Sequence, residues 1–193
     1  MNNFILKIII DVVLVCLLLA CSYEDFKNKI IPNKYTIPAI VAGFVLMSIN
    51  GGFNGLKDSV LGFLLGFFIF LLPFMFGAMG AGDVKLLAAI GALKGFTFTL
   101  YSFVAAGIAG GVMVVVYIIY KRQFIKTMIN MFGIIIKPFA KVIYLNTGNK
   151  IAKKIFDFFE GVKQKSLELY IPYAIPIAIG AILVLIGSYN NLL

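Results

Sequence analysis

The chain contains no histidine, no tryptophan and only two cysteines. Without histidine, the Ser-His-Asp and Cys-His arrangements of many hydrolases are impossible. The usual Cys/His zinc sites are also unsupported, because two cysteines cannot complete one. Cys16 and Cys21 lie in one apolar stretch, and we interpret both as small buried hydrophobic residues. The acids that remain for chemistry are Asp11, Glu24, Asp25, Asp58, Asp83, Asp157, Glu160 and Glu168.

Charge is scarce as well. Only 13% of the 193 residues are charged, whereas 62% are hydrophobic. A soluble domain usually has about 25% charged and about 45–50% apolar residues. So many apolar side chains cannot all be hidden in one soluble core of this size, because much of its surface stays in water. The composition therefore predicts an all-α integral membrane protein.

Six apolar segments predict a bundle of about six membrane-spanning helices, each of which needs about 20 mostly apolar residues. The first could be mistaken for a signal peptide, but it has no convincing cleavage site and further apolar segments follow. The residues from Asn50 to Gly55 indicate a turn between the second and third segments. The fourth is short, so we expect it to tilt or to begin inside the membrane. The segments cover residues 4–22, 36–49, 59–76, 84–98, 101–120 and 170–188.

Basic residues predict the orientation of these segments, because they collect in cytoplasmic loops. Most of the 17 lysines and arginines follow the first, third or fifth segment, and only Lys7, Lys57 and Lys94 lie near the other face. The loops after these three segments are therefore expected to be cytoplasmic, with both termini outside.

The segment 121–168 is too charged to span a membrane, and it mixes Phe and Ile with Lys at helical spacing. This pattern predicts interfacial amphipathic helices that bind anionic membrane lipid. Large aliphatic side chains suit lipid headgroups better than nucleic acid, so no nucleic-acid partner is expected. We predict a single membrane-embedded domain over residues 1–193, with 121–168 as its basic cytoplasmic loop.

Small residues recur at four-residue spacing, which allows close approach of helices in lipid. This spacing predicts a packed bundle. The pairs are Gly62 with Gly66, Gly91 with Gly95, and Gly107 with Gly111.

Asp25 and Asp83 fall at the same predicted membrane face. Asp25 follows the first segment, and Asp83 lies where the third segment ends and the fourth begins. An ionisable group beside a span is costly and is a functional candidate. Either acid alone could be an ordinary juxtamembrane charge or a helix cap. Together at one face, they favour a functional pair.

Three motifs resemble those of the prepilin peptidase family. Residues 80–91, GAGDVKLLAAIG, resemble its GxGD-x-KL-x(3)-G signature. Asp25 with the later Ile-Pro-Asn at 31–33 resembles its first aspartate motif, and residues 171–180, IPYAIPIAIG, resemble its last-helix motif. GxGD alone is shared with presenilin-like proteases, whereas three motifs in the right order are more specific.

The resemblance implies an aspartic endopeptidase, with Asp25 and Asp83 as its catalytic pair and no metal or cofactor. Its substrate would be a type IV prepilin or pseudopilin, cut at the cytoplasmic face of a prokaryotic plasma membrane. Two close carboxylates share a proton, so that one can activate water and the other can protonate the substrate. The residues expected to support substrate or site are Gly80, Gly82, Lys85, Glu24, Pro32 and Asn33.

Individual roles are expected for four of these supporting residues. Pro32 and Asn33 are expected to fix the turn into the second segment. Lys85 is either an aid to partial ionisation of the pair or a positive-inside anchor. Glu24 is expected to contact the basic leader, as are Glu160 or Glu168 in the basic loop.

The chain departs from the longer, bifunctional relatives, which carry a cytosolic domain with paired CxxC motifs that methylates the product. About a dozen residues separate the first two segments here, and no CxxC is present. The resemblance therefore implies a short form that only cleaves. A preflagellin peptidase, a presenilin-like protease, and a small transporter or assembly subunit that uses the aspartates as an ion site remain alternatives.

Asp11 is a rival acid in the first segment. It lies four residues after Lys7 and shares a helix face with it. We therefore expect Asp11 and Lys7 to form a structural ion pair.

Overall fold

The computed structural model describes residues 3–75, 79–120, 154, 157 and 172–190. The regular structure within these ranges is helical, which confirms the all-α prediction for this part of the chain. Four helices have both ends within these ranges: α1 (Asn3–Asn28), α2 (Asn33–Met75), α3 (Ala81–Tyr120) and α4 (Ala174–Tyr189).

The chain divides into two compact units, one formed by Met1–Val112 with Pro172–Leu193 and the other by Met113–Ile171. The first unit contains α1, α2, α3 as far as Val112, and α4. Of the predicted basic loop 121–168, only Lys154 and Asp157 are described, and both are helical and exposed. The rest of that loop, with Glu160 and Glu168, lies outside the described residues.

Three of the described helices are long and apolar enough to cross a membrane, judged by length and composition: Phe4–Asn28, Asn33–Met75 and Ala81–Val116. Helix α4 is apolar but has only 16 residues. This count is smaller than six because α2 and α3 each run through two of the predicted segments. The number of membrane crossings stays a prediction.

Helix α2 reverses at Gly52, whose φ of 58° lies in the left-handed region that favours glycine. A Cβ added at Gly55 would lie 2.1 Å from the carbonyl oxygen of Met47. In a straight helix these two residues would be about 12 Å apart along the axis. The residues on either side of Gly52 therefore form a first arm (33–51) and a second arm (53–75), which meet at the turn that the sequence predicts.

Helix α3 reverses in the same way at Gly95, where φ is 81°. Gly66 of α2 packs on Leu87, while the Phe70 ring, one turn further along, lies 5.6 Å from the ring of Phe103. Residues 87 and 103 would be about 24 Å apart in a straight helix. The first arm of α3 thus ends at residue 94 and the second begins at 96, a few residues earlier than the predicted boundary near 98–101.

Asp58 stabilises this reversal. Its Oδ1 accepts a hydrogen bond of 3.0 Å from the backbone N–H of Phe96, a donor that the broken helix leaves without its usual partner. Next to it, the Ser59 hydroxyl donates to the carbonyl oxygen of Ala92. An aspartate side chain is a common cap at the N-terminus of a helix, and here the aspartate belongs to a neighbouring helix.

The first arm of α3 is the centre of the bundle. Its middle is apolar on all sides, as expected for a helix surrounded by other helices. Of the 8 residues from Leu86 to Leu93, 7 have apolar side chains with at most 1% exposure. By contrast, large apolar side chains such as Val41, Phe68 and Leu72 are more than half exposed on the outer helices. An apolar exterior of this kind agrees with lipid as the surrounding solvent.

Glycines let the arms of α2 approach this central arm at backbone distance. A Cβ added at Gly43 would lie 2.6 Å from the backbone of Ala92. One added at Gly62 would lie 2.4 Å from Gly91, and one added at Gly66 would lie 2.5 Å from Leu87. Close packing at the first two predicted glycine pairs is therefore confirmed, although Gly95 forms a bend as well.

The third predicted glycine pair is wrong within the described residues. Added Cβ atoms at Gly107 and Gly111 would meet nothing within 4 Å. The interpretation of the cysteines is also half wrong, because Cys21 is buried but Cys16 is exposed. Five residues turn a helix by about 140°, so these two thiols point to different sides.

Asp11 does not pair with Lys7. Its carboxylate accepts from Lys94 Nζ at 2.6 Å and from the Tyr189 hydroxyl at 2.5 Å. Asp11 is 8% exposed, and a buried carboxylate needs partners that are themselves held in place. Contacts with α3 and α4 therefore prevail over the local spacing that suggested Lys7. This cluster lies about 21 Å along α1 from Asp25.

The glycine contacts predict different outcomes for one substitution at two positions of α3. Gly91→Ala should lower stability by about 1–3 kcal/mol, because its Cβ would overlap the backbone of Gly62. Gly107→Ala should be neutral or raise stability by about 0.5–1 kcal/mol, since it removes the entropy cost of glycine. Thermal unfolding in detergent measures both. Equal midpoints for the two variants would contradict the packing.

The Asp11 cluster predicts that Lys94, and not Lys7, supports the fold. Lys94→Gln should cost about 2 kcal/mol, less than a fully buried pair because the side chains of Lys94 and Asp11 keep 19% and 12% exposure. Lys7→Gln should change stability by no more than about 0.5 kcal/mol. The same unfolding assay separates them, and a larger loss for Lys7→Gln would restore the pair that the sequence suggested.

Candidate functional site

Asp25 joins the last turn of α1 to the beginning of α4. It is only 4% exposed, and its Oδ2 accepts a hydrogen bond of 3.0 Å from the backbone N–H of Ala174. One turn earlier on α1, the Ser22 hydroxyl donates to the carbonyl oxygen of Ala174 at 3.4 Å. Since α4 begins at Ala174, the Asp25 carboxylate lies at a helix N-terminus, which favours negative charge.

Asp83 lies in the first turn of α3 and is 6% exposed. Its Oδ2 accepts from the Gly80 N–H at 3.1 Å, and its own N–H donates to the Gly80 carbonyl oxygen at 3.1 Å. The two bonds close a tight loop that fixes the carboxylate. Asp83 and Asp25 are near enough for their charges to interact, so the structure brings the two predicted acids together.

Gly82 sets how closely this loop approaches the α1–α2 connection. A Cβ added there would lie 2.8 Å from the Cβ of Ile31, a buried core residue. Any side chain at this position would therefore push the start of α3 away. Gly80 has more room, because its added Cβ would lie 3.4 Å from Asp83 Oδ2.

The α1–α2 connection is short. Helix α1 ends at Asn28, and Lys29 has a φ of 57°, the left-handed conformation common just after a helix. Pro32 precedes Asn33, the first residue of α2, and its carbonyl oxygen accepts from the Tyr35 N–H at 3.3 Å. Both predicted turn residues therefore lie at this turn.

Lys85 and Asn33 link α3 to this connection. Lys85 Nζ donates to Asn33 Oδ1 at 2.9 Å, across 52 residues of sequence. Lys85 follows Asp83 by two positions, so its side chain leaves α3 on a different face from the carboxylate. The hydrogen bond to Asn33 holds the Lys85 side chain against the α1–α2 connection, beside the two acids.

Glu24 is occupied by neighbouring donors. Its carboxylate accepts from Asn28 at 2.5 Å, from Lys34 at 3.2 Å and from the Tyr35 hydroxyl at 3.3 Å. Its side chain is 13% exposed, whereas that of Lys34 is 62% exposed. Glu24 thus fixes the start of α2 to α1. A basic leader would have to compete with Lys34 for this carboxylate.

Tyr173 is a site residue that the sequence argument did not single out. It is half-buried, immediately precedes Ala174, and its phenol is near enough to interact with the charge of Asp83. The available signal was its place in the IPYAIP stretch, directly before the helix that receives Asp25. In the described ranges, no three Asp, Glu or Cys side chains come together as metal ligands.

Comparisons with known proteins identify the family of the chain. Residues 12–115 match the model of the type IV leader peptidase family. A prepilin leader peptidase/N-methyltransferase from Aeromonas hydrophila is 35% identical over 86 residues, which cover 41% of this chain and 29% of the relative. The enzyme of the same name from Pectobacterium carotovorum is 30% identical over 112 residues, 54% of this chain and 40% of the relative.

A third protein of that name, from Xanthomonas campestris, is 30% identical over 119 residues, 58% of this chain and 41% of the relative. The matched part is thus less than half the length of these curated relatives, and no solved structure matches the chain. The family match covers more than half of the chain and contains Asp25 and Asp83. The prediction drawn from the three motifs is confirmed: the chain belongs to the type IV leader peptidase family.

Proposed function

We propose that this protein is an aspartic endopeptidase that removes the leader from type IV prepilins or pseudopilins, with Asp25 and Asp83 as its catalytic pair. The observation that carries the proposal is that two buried carboxylates, from α1 and α3, lie near enough to each other for their charges to interact. Burial of acids is costly, and a fold retains two interacting ones mainly at functional sites.

The hydrogen bonds suggest how the pair divides the work. Asp25 accepts from the N-terminus of α4, so we assign the negative charge to it. Asp83 then holds the shared proton on the oxygen that Gly80 does not contact. The charged and protonated states nevertheless belong to the pair, since coupled acids titrate together.

Peptide hydrolysis follows from these states. Asp25 takes a proton from water as the water oxygen bonds to the scissile carbonyl carbon. Asp83 gives its proton to the carbonyl oxygen, which avoids an unstable oxyanion. The proton on Asp25 then passes to the amide nitrogen and the C–N bond breaks. One hydroxyl of the tetrahedral intermediate returns its proton to Asp83, so the leader leaves with a free carboxyl group and both acids recover their starting states.

We further propose that each arm of α2 and α3 crosses the membrane separately, which with α1 and α4 makes six crossings. The reversals at Gly52 and Gly95 support this count, because each folds one long helix back on itself. Lysines near Asp25 and Asp83 favour a cytoplasmic position for this end, in a prokaryotic plasma membrane. They are Lys27, Lys29, Lys34 and Lys85.

We propose a cleavage-only activity for the chain. Helix α1 ends at Asn28 and α2 begins at Asn33, so no methyltransferase domain lies between them. The curated relatives are named for both activities, and the matched part covers only 29% and 40% of two of them. The sequence also lacks the CxxC pairs expected of the second activity.

The carboxylate mechanism predicts that Asp25→Asn and Asp83→Asn each lower cleavage of a co-reconstituted prepilin by at least about 10³-fold. An amide can neither take nor give the required proton. Asp11→Asn is the matched control, because it changes a buried acid at the other end of α1, and it should retain most activity in the molecules that fold. Substantial turnover by either site variant, or selective loss in Asp11→Asn, would contradict the assignment.

The membrane position of the pair predicts a strong preference for anchored substrates. A full-length prepilin in lipid should be cut at least about tenfold faster than a soluble peptide spanning the same junction, because the bilayer holds its apolar helix beside the bundle. Gel-shift assays on matched substrates, with and without the apolar segment, measure the ratio. Equal rates would reject membrane presentation.

The same assay tests the chemistry. Cleavage should persist with metal chelators and with serine- or thiol-directed inhibitors, since two carboxylates suffice for the reaction. Loss of activity with a chelator, restored by added metal, would overturn the two-carboxylate mechanism.

A further inference from the structure

A cavity of about 520 Å³ opens at the end of α1 far from Asp25. Such a volume suits part of a small amphiphile, since ligand sites commonly occupy about 300–1,000 Å³. One part of its wall is apolar, with Phe4, Ile8 and Met47 among its residues. The polar part is formed by Lys7, Asp11, Asn50, Lys94, Ser188 and Tyr189.

The polar wall carries a net positive charge. Lys94 is neutralised by Asp11 at 2.6 Å and also lies 5.1 Å from the centre of the Phe98 ring. Lys7 is exposed, and within the described ranges it forms no ion pair. The cavity therefore keeps one amine whose charge is free to attract an anion.

Asn50 supplies a second requirement. Its Oδ1 is buried and has no hydrogen-bond partner among the described residues. Buried polar atoms are usually paired, and a hydroxyl of a bound molecule that reached this oxygen would supply the missing donor. A ligand that satisfies both groups has an anionic centre for Lys7 and a hydroxyl for Asn50.

The depth of the cavity agrees with a headgroup ligand. Helix α1 begins at Asn3, and Lys7 lies about one turn from that end. In a helix that crosses a bilayer, this is the level of the lipid headgroups and not of the acyl chains. Phe4 and Ile8 provide apolar surface at the same level.

We propose that this cavity binds the headgroup of an anionic phospholipid that carries hydroxyl groups, with phosphatidylglycerol as its simplest example. Lys7 pairs with the phosphate, and Asn50 accepts a hydrogen bond from a glycerol hydroxyl. The part of an acyl chain next to the headgroup lies on Phe4, Ile8 and Met47. The site is about 27 Å along α1 from Asp25 and is independent of peptide cleavage.

The test measures lipid binding to the full chain in neutral detergent by native mass spectrometry. Three lipids with identical acyl chains are compared: phosphatidylglycerol, phosphatidylmethanol, which is anionic but has no hydroxyl, and phosphatidylcholine, which is zwitterionic. The order of affinity should be phosphatidylglycerol, then phosphatidylmethanol, then phosphatidylcholine. Equal affinity for all three would overturn the proposal, because the acyl chains alone would then explain binding.

Two variants locate the site. Lys7→Gln should weaken phosphatidylglycerol binding about fivefold, whereas Lys57→Gln should leave it unchanged. Lys57 is the matched control, since it is exposed and does not line the cavity. Asn50→Leu should abolish the advantage of phosphatidylglycerol over phosphatidylmethanol. Equal loss in both lysine variants, or an advantage that survives Asn50→Leu, would place the binding elsewhere.

A competition experiment distinguishes a lipid ligand from free phosphate. Inorganic phosphate should displace phosphatidylglycerol no better than sodium chloride at the same ionic strength. If phosphate displaced phosphatidylglycerol much better than the salt does, the ligand of this site would be a simple anion and not a lipid. Because every readout is binding, failure of this proposal leaves the proposed peptidase activity untouched, and loss of cleavage leaves the lipid site untouched.

Discussion

The backbone-to-backbone packing of the first arm of α3 is the constraint on which the other elements depend. This arm is buried on all sides, and Gly43, Gly62 and Gly66 of α2 approach it without intervening side chains. In lipid, where no hydrophobic effect drives helices together, such close van der Waals contact is a main source of association. The arm has Asp83 at one end and Lys94 at the other, so its position fixes both polar clusters.

The second requirement is that carboxylates inside the bundle obtain hydrogen-bond donors. Three of them obtain a donor from another helix, whereas Asp83 obtains its donor from the nearby Gly80. Asp25 obtains the Ala174 N–H, Asp58 obtains the Phe96 N–H, and Asp11 obtains Lys94 and Tyr189. Each of these bonds between helices joins residues that are far apart in the sequence. Since an unpaired buried acid is costly, these bonds also determine how α3 and α4 align with α1 and α2.

Local patterns were sufficient to predict several features. Composition indicated helices with lipid outside, the glycine-rich stretch after Asn50 indicated the reversal in α2, and the spacing of Asp25 and Asp83 relative to the apolar segments placed them at one end. Each of these depends on neighbouring residues or on chain length, which the sequence displays directly.

Features decided by tertiary contacts were not predictable in this way. The rule for pairs four residues apart suggested Lys7 for Asp11, but the geometry of α3 and α4 supplied Lys94 and Tyr189. The spacing of Gly107 and Gly111 equals that of Gly62 and Gly66, yet among the described residues only the second pair has a helix against it. The occupation of Glu24 by three donors and the position of Tyr173 likewise required the packed structure.

The bond between Asp25 and Ala174 has a consequence for biosynthesis. A chain is made from its N-terminus, and its early parts begin to fold first. Helices α1, α2 and α3 are complete long before residue 174 leaves the ribosome, so Asp25 and Asp83 can meet in the nascent chain while α4 is still missing. The helix N-terminus that receives Asp25 arrives last among the described elements, which delays the mature electrostatic environment of the acids until that final helix has docked.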